Sequence, residues 1–119
     1  MQRIRRRIRR GIIEKGEGMA RGITFNIKRI ANHYGYDRQA YQCIEEMAEL
    51  TQAICKYDRA KNAEEKQKAF YQLVEEIADV EIMIAQLKHL TNAEMVQNIH
   101  AFKIDRQLHR IEKEKMQHD

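Results

Sequence analysis

The chain has 119 residues, enough for one domain and too few for two. It contains no Pro, five Gly and two Cys, so little in its composition interrupts a helix, and neither a disulfide framework nor a zinc-finger spacing is encoded. The formal net charge of +4 is unevenly spread: residues 1–18 hold seven Arg/Lys against two Glu, and the remainder is close to neutral, so the basicity is weak ground for nucleic-acid binding by the domain as a whole.

Residues 1–18, MQRIRRRIRRGIIEKGEG, place Ile4, Ile8 and Ile12 at helical spacing among arginines. Such a segment can form a basic amphipathic helix that touches RNA, anionic lipid or an acidic partner. A disordered basic arm is the plainer expectation, and nucleic acid enters the reading only through this arm. Glu, Lys and Gly can all be written in purine-only codons, so EKGEG before Met19 has the composition of a translated ribosome-binding site, which would make Met19 the natural start. No apolar run is long enough to span a bilayer, and no apolar segment of signal-peptide type follows the arginines. Cys43 and Cys55 fall on one expected helix, roughly 18 Å apart, beyond disulfide reach. A cytoplasmic protein with no membrane partner is the expectation.

From residue 19 onward the sequence reads as one all-α domain, 19–119. Ile23, Ile27, Ile30 and Ala31 share a helical face, with Gly35 as C-terminal cap and Asp37 as the next N-cap. A long helix from Arg38 to Tyr57 follows, with an apolar stripe of Ala40, Cys43, Ile44, Met47, Leu50, Thr51 and Ile54. Asn62 and Glu65 have capping-box spacing and start a third helix running to Leu90. Thr91 and Glu94 repeat that spacing and start a fourth, running to Lys115. Four helices joined by short turns result.

The informative anomaly is acidic. IEEMAEL places Glu46 and Glu49 three apart on the second helix; VEEIADV places Glu76 and Asp79 three apart on the third. Short turns make successive helices antiparallel neighbours, so the two pairs can meet face to face. A solvated acidic face is a respectable alternative for Glu45, Glu46 and Glu49. It is poorer for the third helix, where eleven of the eighteen residues from Leu73 to Leu90 are apolar and no Lys or Arg appears before Lys88. A helix apolar on nearly every side is expected to be buried on nearly every side, and buried carboxylates need a cation, a basic partner or a proton. An all-oxygen donor set suits Mg²⁺, with Mn²⁺ as substitute, rather than Zn²⁺. No Glu-x-x-His occurs, which argues against a di-iron site. Such a Mg²⁺ keeps positions for phosphate oxygens, and Lys103, Arg106 and Arg110, spaced along the last helix, are the cations expected to hold a polyphosphate; a solvated basic face explains their spacing equally well. Phe25, Tyr34, Tyr36 and Tyr41 could stack on a base and Asn26 or Asn32 could read its edge, though aromatic residues more often serve packing.

Glu45-Glu46-Met47-Ala48-Glu49, a spacer, and Glu76-Ile77-Ala78-Asp79 together resemble the EExxE and ExxD motifs of the MazG-like, all-α nucleoside triphosphate pyrophosphohydrolases. The lead-in HYGYDRQ and the later FKIDRQLHR fit as well, so the likeness covers roughly residues 23–112. It implies a four-helix MazG-like bundle completed by oligomerisation as a homodimer or homotetramer. It further implies that Glu46, Glu49, Glu76 and Asp79 ligate Mg²⁺, that Glu45 is a supporting or water-orienting acid, and that a nucleoside triphosphate is cut to the monophosphate and pyrophosphate. Glu45, Glu46 and Glu49 are on this view the catalytic acids. The related phosphoribosyl-ATP pyrophosphohydrolases carry Gly-Glu-Glu preceded by Lys, where this chain has Cys43-Ile44-Glu45-Glu46. Two rival expectations are a non-catalytic helical interaction or regulatory module, and a nucleic-acid-associated protein acting through the arginine arm.

Overall fold

The computed structural model describes residues 22–118. Residues 1–21 and Asp119 lie outside the described part, and with them the expectations for the basic arm and for Met19. Among the described residues there are four α-helices and no strand: α1 (Ile23–Tyr34), α2 (Tyr36–Arg59), α3 (Ala63–Leu90) and α4 (Ala93–His118). None is long and apolar enough to cross a membrane.

The helix ends follow local chemistry. Gly35 adopts φ 82°, a backbone conformation that costs an L side chain, and its N–H donates to the Ala31 carbonyl at 2.8 Å. The same glycine is the residue before α2, so Asp37 lies in the first turn of α2 rather than capping it as the sequence predicts. There its carboxylate still faces the positive end of the helix dipole. Asn62 caps α3 as expected, its Oδ1 accepting from Glu65 N–H at 2.9 Å. The reciprocal arm of the box is displaced by one residue, because Glu65 Oε2 accepts from Lys61 N–H at 3.0 Å. The start of α4 differs from the expectation by one residue too: the Thr91 hydroxyl donates back to the Leu87 carbonyl at 2.7 Å and closes α3, leaving Asn92 to accept from Met95 N–H at 3.0 Å.

α2 and α3 form a long antiparallel hairpin. At its turn, Lys66 Nζ donates to the Tyr57 carbonyl at 2.9 Å and lies 4.4 Å from the Tyr57 ring centroid, with the Phe70 ring 6.2 Å away from that of Tyr57. α1 lies chiefly against α3 and is tied to it by Asn32 Oδ1 and His89 Nε2 at 2.9 Å. α4 meets the rest of the chain mainly through α3, and every residue from Ala93 to Gln117 is exposed. The radius of gyration, 17.8 Å, exceeds the ~13 Å of a globular domain of about 100 residues, as an outlying helix requires.

The apolar stripe of α2 is turned away from α3: Ile44, Met47, Thr51 and Ile54 are exposed, Ala40 and Leu50 are half-buried, and only Cys43 of the stripe is buried. One expectation about burial is corrected, because α3 is not buried on nearly every side. It buries Ala69, Glu75, Glu76, Asp79, Met83 and Gln86, and exposes Val74, Ile77 and Ile84. The cause is shared. With acids and glutamines along the seam, the hairpin turns its polar sides together and leaves much of its apolar surface outside.

Candidate metal centre

The seam can be followed residue by residue. Near the open end of the hairpin, Gln39 Nε2 donates to Gln86 Oε1 at 2.6 Å, and both side chains are buried. Gln86 Nε2 in turn donates to Met83 Sδ at 3.6 Å. One turn further along, Cys43 and Met83 are each 1 % exposed. Next come Glu46 with Asp79, then Glu49 with Glu76, and beyond them the buried Ala53. The spacings 39, 43, 46, 49, 53 on α2 and 86, 83, 79, 76 on α3 keep one face of each helix turned to the other through about three turns.

At the centre, one carboxylate oxygen each from Glu46, Glu49, Glu76 and Asp79 lies within 4.8 Å of all the others. Glu46, Glu76 and Asp79 are buried; Glu49 stands at the more open edge. Gln42 Nε2 donates to Glu46 Oε1 at 3.0 Å and helps fix that carboxylate. Carboxylates at this spacing repel by an amount on the order of a few kcal/mol per pair unless positive charge or protons lie among them. The donor set is wholly oxygen, three of its members are held in the interior, and the gap is of a size that a cation bound at 2.0–2.6 Å would fill. The four residues therefore fit a hard divalent ion. Burial, with the Glu46 carboxylate beside it, also holds the Cys43 thiol above its ordinary pKa.

Some of the residues singled out from sequence come together here and others do not. The four expected ligands converge. Glu45, on the same turn, is exposed and outside the group of four. Lys103, Arg106 and Arg110 are exposed on α4, which starts at the Leu90 end of α3, eleven residues or about 16 Å of helix beyond Asp79. Phe25, Tyr34, Tyr36 and Tyr41 are exposed, and Tyr34 carries the Arg38 guanidinium 4.7 Å from its ring centroid. Asn26 is exposed, and Asn32 is engaged with His89.

Sequence reasoning gave no role to Glu75 and no structural place to Gln86. Glu75 is buried and lines, with Glu49 and Glu76, a cleft of about 200 Å³ that continues from the cluster toward the hairpin turn. The signal for Gln86 was its position seven residues after Asp79, on the same face of α3.

Fold and site thus define an all-helical protein with a carboxylate cluster, able to hold a metal ion, between two antiparallel helices. Comparison with known protein families, curated proteins and solved structures gives no match to this chain.

Proposed function

We propose that the protein is a Mg²⁺-dependent hydrolase of MazG-like type that converts a nucleoside triphosphate and water to the monophosphate and pyrophosphate. The observation that carries the reading is the convergence of Glu46, Glu49, Glu76 and Asp79 from two helices on one point. These four residues hold the ion, with Mn²⁺ as a substitute. A divalent ion bound there neutralises phosphate oxygens and lowers the pKa of a bound water. The chain's own residues do the rest. The buried Gln39–Gln86 hydrogen bond keeps α2 and α3 in register, and Gln42 orients Glu46. Glu49, at the open edge of the cluster, is the acid nearest to entering substrate, and Glu45 supports it from the same helical turn.

The working protein is a homodimer or homotetramer. Ile44, Met47 and Ile54 on α2, Phe70, Val74, Ile77 and Ile84 on α3, and the apolar residues of α4 are exposed in the single chain, a distribution that a second copy would cover. Lys103, Arg106 and Arg110 contact phosphate only in an assembly that brings an α4 to a hairpin.

The test is a panel of ribo- and deoxyribonucleoside triphosphates incubated with Mg²⁺ and assayed for released pyrophosphate. At least one should be cleaved, and Glu76→Ala or Asp79→Ala should abolish both turnover and Mn²⁺ binding. Near-normal activity in either variant would overturn the site assignment. No pyrophosphate from any nucleotide, with Mn²⁺ binding intact, would favour a helical interaction module that binds metal without turnover.

A further inference from the structure

The cleft beside the cluster extends past the four ligands. On α2 it follows Glu49, Gln52 and Lys56, and on α3 it follows Glu76, Glu75 and Gln72. Lys56 is seven residues beyond Glu49, two turns along the same face and about 10 Å away along the axis. A second depression adjoins the first, sharing Lys56 and Gln72, and adds Arg59 and Lys68. Carboxylates thus dominate at mid-hairpin, and near the turn Lys56, Arg59 and Lys68 stand with a single acid, Glu65, around the second depression.

The basic residues around the turn are not equivalent. Lys66 is committed to the Tyr57 carbonyl and ring, and Lys68 stands 3.8 Å from Glu64 on the outer surface of α3. Lys56 has no acidic partner at salt-bridge distance among the described residues, and it lines the cleft that leads to the cluster. An anionic ligand entering a cleft walled by Glu49, Glu75 and Glu76 needs positive charge at both of its ends. A divalent ion supplies one end. A lysine ammonium, a compact charge with three donors, supplies the other, and the Gln52 and Gln72 amides offer neutral N–H donors between them.

We propose that Lys56 is the phosphate ligand the hairpin itself provides, receiving the terminal phosphates of a polyphosphate substrate whose remaining phosphate oxygens face the carboxylate cluster. This rests on the cluster's holding a divalent cation. It assigns to α2, within the same chain, a contact that sequence reasoning sought on α4. The substrate then lies lengthwise in the cleft, with its leaving pyrophosphate toward the turn.

The experiment uses the full chain and two calorimetric titrations: Mn²⁺ alone, then the preformed Mn²⁺–tripolyphosphate complex. Wild type should bind both. Lys56→Gln should keep wild-type Mn²⁺ affinity and lose about tenfold or more in affinity for the complex, as expected for one lost charge-assisted contact. Lys56→Arg should recover most of that loss, and Lys28→Gln, a charge removed from α1, should change neither titration. Undiminished affinity for the complex in Lys56→Gln overturns the assignment while leaving the metal centre intact. Loss of Mn²⁺ binding in the same variant overturns it as well, because Lys56 would then serve the cluster's structure. A wild-type chain that takes up no Mn²⁺ removes the metal reading and this proposal together.

Discussion

The inner seam of the α2–α3 hairpin and the outer surface of the same helices have exchanged the chemistry usual for a globular protein. Inside are Gln39, Glu46, Glu75, Glu76, Asp79 and Gln86, with only Cys43, Ala53, Ala69 and Met83 as buried apolar company from these two helices. Outside are Ile44, Ile54, Phe70, Val74, Ile77 and Ile84, several of them about half exposed. Burial normally stabilises through apolar area, and polar groups go inside only when satisfied. Each surface therefore asks for a different complement. The seam gathers acids able to hold a cation, and the outer faces present apolar surface of the kind a protein partner covers.

The largest effect is expected from a charge placed on the outside. If the proposed oligomer covers these faces, Ile77→Asp and Phe102→Asp should dissociate it and unfold a large share of the chain, since each lost side-chain burial is worth ~1.5–3 kcal/mol and a carboxylate trapped in an apolar contact adds to that. Light scattering after gel filtration checks the mass. If both variants match wild type in mass and lie within about 0.5 kcal/mol of its stability, as ordinary surface substitutions do, the outer faces have no protein partner.

The inside is probed by supplying its charge. Mn²⁺ at a hundred times its Kd should stabilise the fold by ~2.7 kcal/mol in chemical denaturation, an effect that EDTA removes and that Asp79→Asn largely abolishes. In EDTA the gap between wild type and Asp79→Asn should narrow, because the ion's share of the stability is gone and the substitution removes the repulsion of Asp79 with the other three acids.

Gln86→Leu tests the part of the seam away from the cluster. It strands the buried Gln39 amide and should cost about 1–3 kcal/mol, with a matching loss of Mn²⁺ affinity if register is what Gln86 maintains.

The smallest effect is at the cysteines. Exposed Cys55 should react with a thiol reagent at once, and buried Cys43 only on unfolding. The raised pKa of Cys43 means that the unfolded chain ionises first. Its contribution is complete below the ordinary thiol value and is lost as pH rises through the raised one, so stability should decline on the alkaline side and Cys43→Ser should flatten that decline.

Much of the architecture was legible because it is local. Apolar spacing at three and four residues, Gly35 with its positive φ, and Asn62 three residues ahead of Glu65 each act within one turn of chain. Glu46 with Glu49 and Glu76 with Asp79 could be paired across the hairpin because a short turn between long helices leaves them little choice but to lie antiparallel. What could not be read was how much of each apolar face the chain itself covers. Periodicity marks an apolar stripe but does not say whether the chain or another molecule covers it, and the stripe on α2 lies largely exposed.

The helices, the Gly35 and Asn62 boundaries and the two acidic pairs are written locally in the sequence, since propensity, capping and i,i+3 spacing are properties of neighbouring residues. Long-range packing sets that Gln39 and Gln86 join the acids in the closed seam, that Glu75 and Lys56 border one cleft, and that α4 lies exposed from Ala93 to Gln117. Those outcomes depend on the rotation of whole helices about their axes. That rotation is set by the sum of many weak contacts between residues distant in sequence, which no single stretch of the chain encodes.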